Sequence, residues 1–341
     1  MLFSQENVID QLISDNDFSG SIFVKQAEKE YKVSSGYANR VEERLNKVNT
    51  RFGIASGSKL FTAIAIAQLV EKKQLSFEMK LRDCLDVSFP HFDANITIHH
   101  LLTHTSGIPD YFDEEVMEDF ESLWKQTPMY LLKSLQDFLP LFQNGEMVAE
   151  PGKTFHYNNA AYIVLGLIIE QQTGMAFQHY IKENIFDPVG MKDSGYFSLD
   201  RLPQNTALGY IEDDDGSWRT NTYAIPIVGG SDGGAYVTAP DMVKFWEALL
   251  DFRLLNESLT GQLLSPHVDV KDWVSYGYGV WINARKGRIV KYHVMGYDPG
   301  VSFHSAYYPE SGYNMAVPSN HSDGAFDVMK EIEERLHLFD T

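Results

Sequence analysis

The chain has 341 residues, 44% of them apolar, and sets 28 Lys and Arg against 47 Asp and Glu for a formal net charge of −19. That length can bury one large core or two interleaved ones, and the negative charge repels phosphate backbones and anionic lipid, so neither nucleic acid nor a membrane is expected as a partner. The single cysteine, Cys84, excludes an internal disulfide and agrees with a reducing compartment.

The opening MLFSQENVIDQLISDND has no basic n-region and no unbroken apolar h-region, so no signal peptide is read there. No window offers the roughly 18 uncharged apolar residues of a membrane span. The expected location is cytoplasmic, with an extracytoplasmic one kept for a trimmed chain. The opening itself reads as a short amphipathic helix.

Next, GSIFVKQAEKEYKVSSGYANR gives two β-rich runs around a charged turn, a hairpin. From Lys59 the run LFTAIAIAQLVEKK is apolar on nearly every side, the pattern of a buried helix. Helical patterns and loops then fill about residues 60–270, among them AAYIVLGLIIEQQTG, which ends at Gly174 like a capped helix. Strand signals return in YGYGVWINA, RIVKYHVM, GVSFHSAYYP and YNMAVPSN, and FDVMKEIEERLHLF reads as a terminal helix. Strands at both ends predict a mixed α+β fold. Its antiparallel sheet draws on about 1–55 and 270–341, with a mostly helical region of about 60–270 inserted, the whole forming one unit. There is no internal repeat, low-complexity tract or obvious linker.

The chemistry begins in RFGIASGSKL, residues 51–60, where Ser56 precedes Lys59 by three positions as a turn enters the buried helix. Residues i and i+3 share a helix face, so the Lys59 amine can lie beside the Ser56 hydroxyl. A serine attacks a carbonyl well only when a neighbour takes its proton, and burial disfavours the charged form of an amine. The plain alternative is that Ser56 caps the helix and Lys59 snorkels outward. Ser122-Leu-Trp-Lys125 repeats the spacing, but its acidic flanks read as a short exposed helix closed by a proline.

A second element is Tyr157-Asn158-Asn159, just before a buried helix. A phenol near a lysine can shuttle protons and an amide can orient a substrate or the lysine. Their structural alternatives are a half-buried aromatic and a helix N-cap. Tyr37-Ala38-Asn39 matches the same triplet at the end of the hairpin. A third element is VKYHVMGYDPGVSF, where Gly296 would let another backbone approach closely and the N–H of Tyr297 could join that of Ser56 as an oxyanion donor; its alternative is an ordinary strand and turn.

Taken in order, these stretches resemble the penicillin-recognising serine hydrolases, in the branch of class C β-lactamases, D-Ala-D-Ala carboxypeptidases, D-aminopeptidases and β-lactamase-like esterases. LRDCLDVSFPHFDANITIHHLLTHTSGIPDY, EPGKTFHYNNAAYIVLGLIIE and GGSDGGAYVTAPDMVKFWEALL also look like that branch, so the resemblance covers about residues 20–335, and LLTHTSGIPDY is its most specific piece. It implies that Ser56 is the acylated nucleophile, Lys59 its activator, Tyr157 a partner in proton transfer and Asn159 a substrate-positioning residue. The N–H groups of Ser56 and Tyr297 would form the oxyanion hole. Where the family carries Lys-Thr-Gly or His-x-Gly, this chain has Val294-Met295-Gly296, with His293 displaced by one position. Val and Met cannot bind the carboxylate of a β-lactam or peptide C-terminus.

Two other patterns compete. Gly229-Gly230-Ser231-Asp232-Gly233 matches the G-x-S-x-G elbow of α/β-hydrolases, with Asp298 and His304 following in order, but it lacks the required preceding strand and following helix. It reads instead as a glycine loop bordering the cleft. His99, His100 and His104 have spacings a metal could use, yet the helix breaks straight after His104, and histidines that hydrogen-bond the fold are expected. The expected function is hydrolysis of a small-molecule ester, amide or D-amino-acid-containing peptide through an acyl-enzyme, without metal or organic cofactor. The alternative is a penicillin-binding or sensor protein that is acylated and turns over slowly.

Overall fold

The computed structural model describes residues 18–117 and 119–339; the expected N-terminal helix lies outside them. Strand β1 (Gly20–Gln26) and strand β2 (Lys29–Ser35) form the expected hairpin, with Gly20 opposite Ser35 and Gln26 opposite Lys29. Helix α1 (Lys59–Glu71), α2 (Asn159–Thr173) and α3 (Ala239–Leu250) follow. Then come β3 (Val268–Lys271), β4 (Val274–Tyr276), β5 (Trp281–Arg285), β6 (Arg288–Asp298), β7 (Val301–Tyr308) and β8 (Tyr313–Ser319). Helix α4 (Ala325–Arg335) closes the described chain.

The eight strands make one antiparallel sheet in the order β2-β1-β8-β7-β6-β5-β4-β3. The two ends of the chain meet where β1 pairs with β8, Phe23 opposite Ala316 and Gln26 opposite Tyr313. Pleating sends successive side chains to opposite faces, and both faces are covered. Ile22 and Val24 pack with Val328, Met329 and Ile332 of α4, whereas Phe23 joins the large core of the helical side. Buried on both sides, β1 and β8 therefore read as nearly continuous apolar runs.

On the helical side, α1 runs through the middle of the protein. Its residues from Lys59 to Leu69 are all buried, which explains the missing polar face in the sequence. Phe61 makes edge contacts with Phe186 and Phe245 at ring distances of 5.0 and 4.9 Å. Helix α2 ends at Gly174 with φ 68°, as its sequence predicts.

Two features of the sheet differ from the sequence reading. The run YGYGVWINA is not one strand: Tyr276 ends β4, Gly277 closes a turn by donating to the Val280 carbonyl at 2.8 Å, and β5 starts at Trp281. Strand β3, with partly exposed residues alternating with exposed ones, sits at the sheet edge. It lacks the apolar signal that marks a buried strand. Among the described residues no single helix is long and apolar enough to cross a membrane.

Candidate active site

Ser56 lies in a 3-10 turn, Ala55–Ser58, that runs directly into α1. Ala55 enters it at φ 42°, a left-handed conformation that costs a non-glycine residue about 1–3 kcal/mol and recurs at functional sites. The capping position before α1 is Ser58, whose hydroxyl instead donates to the Ala55 carbonyl at 2.9 Å and accepts from the Ala235 N–H. Ser56 is therefore not spent as a cap.

Lys59 is fully buried, and its Nζ meets three oxygens, each at 2.8 Å: Asn159 Oδ1, the Asp232 carbonyl and Ser56 Oγ. The first two can only accept, so they take two of the amine's hydrogens. The third direction alone remains, and it points at a hydroxyl that can donate or accept. In that direction Nζ donates to Ser56 Oγ, and only an amine that has given up this hydrogen would aim its lone pair at the Ser56 proton. The snorkelling alternative does not occur.

The Tyr157 phenol neighbours the Ser56 hydroxyl, and burial holds its pKa well above 10, with Glu114 adding to the shift. Its ring lies between those of His104, at 4.3 Å, and Trp281, at 6.0 Å, with Lys59 Nζ 4.9 Å from its centre. Asn158, not Asn159, is the N-cap of α2, its Oδ1 accepting from the Ala161 N–H at 2.7 Å. That leaves the Asn159 amide free to reach Lys59.

What holds these residues in place is the stretch LLTHTSGIPDY, whose role the sequence alone does not reveal. The His104 carbonyl accepts from the His156 N–H at 2.8 Å, and its Nδ1 accepts from the Asn158 N–H at 3.0 Å, pinning Tyr157 between two bonds. With Nδ1 accepting, Nε2 carries the hydrogen and bonds Tyr276 Oη at 3.2 Å. Burial and the Lys59 charge hold His104 well below its usual pKa, hence neutral. The Ile108 carbonyl accepts from Asn158 Nδ2 at 2.8 Å. Asp110 caps α2 by accepting from the Asn159 and Ala160 N–H groups at 2.6 and 2.9 Å, although burial lifts its carboxyl to about 7.

Strand β6 forms the opposite wall. A Cβ on Gly296 would stand 2.1 Å from the Ile54 carbonyl and 2.7 Å from the Ser56 nitrogen. Only glycine fits there. Gly296 pairs with Phe303, and Phe303 and Val294 both belong to the core of the helical side. By the pleat, His293 and Met295 face the other way. His293 is buried and held well below its usual pKa by that burial, so it cannot supply the missing cation. Tyr297 reaches the cavity wall, and its hydroxyl bonds His304 Nε2 at 2.6 Å.

Ser56 opens into a cavity of about 520 Å³ that Asn159, Asp232, Tyr297 and Asp298 also line. Tyr111 donates to the Asp232 carboxylate, and burial raises the pKa of Asp232 against the pull of Lys59. Asp298 is pushed up to about 8, first by burial, then by the charge of Asp232, with Lys59 opposing and Glu114 adding. Sequence reasoning missed Asp298 as part of the cleft, because it looks like a turn residue, and placed Asp232 only within a glycine loop at the cleft's border without giving its carboxylate a role.

The competing patterns separate in space. Ser122 donates to the Asp119 carbonyl at 2.7 Å, while Lys125 is solvent-exposed and pairs loosely with Asp119. Asn39 of the other tyrosine triplet accepts from the N–H groups of Val41 and Glu42. Ser231 is buried against Gly166 of α2 with no partner for its hydroxyl, whereas the His304 ring lies 5.4 Å from Phe326 in α4 on the far side of the sheet. His99 bonds Tyr278 at 2.9 Å and His100 exchanges bonds with Thr97, as fold-holding histidines do. No group of three His, Cys, Asp or Glu among the described residues is placed to hold a metal ion.

The profile of the Beta-lactamase family matches residues 9–338. The chain belongs to that family. It is 30% identical over 309 residues to a penicillin-binding protein of Bacillus subtilis strain 168, covering 84% of this chain and 65% of that one, so it spans just under two thirds of that relative. The crystal structure of a penicillin binding protein from Bacillus halodurans is 57% identical and superposes with a TM-score of 0.93, covering 96% of this chain and 99% of that one. A D-amino acid amidase from Ochrobactrum anthropi SV3 shares the fold at 21% identity, with a TM-score of 0.81 and full coverage of both chains.

Proposed function

We propose that this Beta-lactamase family member is a serine hydrolase that cleaves an ester or amide through an acyl-enzyme on Ser56. The observation that carries the reading is the Lys59 amine, whose two other contacts are obligate acceptors, leaving one direction for the Ser56 proton. In the first step Ser56 Oγ bonds to the substrate carbonyl carbon and its proton passes to Lys59 Nζ. The carbonyl becomes an oxyanion, which the N–H groups of Ser56 and Tyr297 would receive across the close Gly296 contact. Tyr157, protonated at neutral pH, hands a proton to the departing alcohol or amine as the carbon–leaving-group bond breaks, and the proton held on Lys59 Nζ replaces it, so that both groups return to their starting states. Water then adds to the acyl carbonyl, the acid leaves, and Ser56 recovers its proton.

The lack of a cation at Val294 weakens binding of carboxylate-bearing β-lactams and leaves uncharged esters and amides unaffected. The test is a panel of p-nitrophenyl esters, D-amino-acid amides and nitrocefin with Ser56→Ala as control. Steady release of nitrophenol that disappears in Ser56→Ala supports turnover. A single burst followed by a stable acyl adduct in the intact mass makes the protein an acylated sensor instead, and activity retained in Ser56→Ala overturns the site.

A further inference from the structure

We infer that the cavity beside Ser56 selects substrates carrying an ammonium group, and that Asp298 is the residue that fixes this choice. The inference rests on the hydrolase reading above and names its substrate class. Five carboxylates line the cavity, those of Glu114, Asp119, Glu121, Asp232 and Asp298, and no Lys, Arg or His does among the described residues.

These acids are not equivalent. Glu121 is already neutralised by a two-pronged pair with Arg219, both bonds at 2.7 Å, and Asp119 has Lys125 nearby. Glu114 has only the distant Asn159 amide, at 3.4 Å, and Asp232 is bound by Tyr111. The Asp298 carboxyl has only through-space neighbours, the charges of Asp232, Lys59 and Glu114. Lys59 is fully engaged by Ser56, Asn159 and Asp232. Once ionised, an unpartnered acid facing a substrate cavity, with two further carboxylates around it, favours one sign of charge strongly, since such clefts focus the field on whatever enters.

The apolar part of the lining suits the same guest. Phe112, Phe120 and Phe138 share the wall, with Phe112 and Phe120 in edge contact at 4.8 Å, and aromatic faces attract desolvated ammonium groups. A carboxylate in the same place would meet Asp298 and Asp232 with no cationic side chain in the lining among the described residues. The missing third-motif cation and the Asp298 acid thus act in one direction, favouring a cation over an anion in the cavity.

The experiment compares matched p-nitrophenyl esters whose acyl chains end in trimethylammonium, tert-butyl or carboxylate. These are equal in reach, and the first carries a charge independent of pH. We expect kcat/KM to fall in that order, the trimethylammonium ester exceeding the tert-butyl ester at least tenfold. Asp298→Asn should cut that ratio about tenfold and Glu114→Gln by less. In the wild type the ratio should climb with pH as Asp298 ionises near 8. A wild-type ratio within twofold of unity, or an unchanged ratio in Asp298→Asn, overturns the inference while nitrophenol release upholds the hydrolase reading. If none of the esters is cleaved in a Ser56-dependent way, the hydrolase reading falls instead. Calorimetric binding of the corresponding methyl amides to Ser56→Ala then decides the inference by itself: tighter binding of the cationic amide sustains it, and equal binding ends it.

Discussion

Replacing Gly296 with Ala tests whether the close approach of β6 to the Ser56 turn is needed for catalysis. The new Cβ would meet the Ile54 carbonyl at 2.1 Å, the Ser56 nitrogen at 2.7 Å and the Gly57 nitrogen at 2.8 Å, all backbone atoms that no rotamer change can move aside. Bringing the closest contact to 3.0 Å opens the two segments by about 0.9 Å. Overpacking of that kind costs roughly 1–3 kcal/mol of stability. Catalysis should suffer more, because a 1 Å misplacement is worth about 100-fold and loss of one oxyanion donor about 100- to 1000-fold. The assay is kcat and KM for a p-nitrophenyl ester, with thermal unfolding on the same preparation. We expect kcat to drop by two orders of magnitude or more while a folded protein with a modestly lower Tm persists. A Gly296→Ala enzyme with kcat within threefold of wild type would refute the claim that β6 and the Ser56 turn act together.

Lys59→Met keeps the side-chain volume but strips the Asn159 and Asp232 oxygens of their buried donor; each orphan costs about 1–3 kcal/mol, and kcat should fall by roughly 100- to 10,000-fold with the general base gone, as steady-state kinetics will show. Ser231→Ala removes a buried hydroxyl without a partner, so activity should be unchanged and Tm equal or slightly higher; a marked loss of turnover would revive the elbow motif. Asp298 is the pH probe: its carboxyl, about 8 in the fold and 3.8 as the reference value, stabilises the fold least once ionised. Wild-type stability is therefore expected to decline as pH rises from about 4 to about 8. Asp298→Asn escapes that decline, so its Tm should match the wild type near pH 4 and exceed it above pH 8 by the equivalent of about 2 kcal/mol, discounted for water in the cavity. Equal Tm differences at both pH values would show that the acid is not shielded from water.

The sequence by itself determined whatever depends on neighbours a few residues apart. Helical periodicity places Ser56 and Lys59 on one face, the unbroken apolar run marks α1 as buried, and a glycine with φ 68° ends α2 where the pattern says it should. Its strand signals at both ends give the sheet built from the two termini, and its longer stretches carry the family. Local pattern marks the Ser56 pair as the buried one but cannot show what Lys59 meets there, because those contacts join residues about 100 or more positions apart, Lys59 with Asn159 and with Asp232. Nor can it show that His104 and Asp110 hold the Tyr157 segment in place, or that a turn aspartate faces the cavity. Which side of β6 carries Val294 and which His293 depends on one register, Gly296 against Phe303; a shift of one residue would exchange them. Register and distant packing are properties of the assembled core, so the sign of charge in the cleft became readable only in three dimensions.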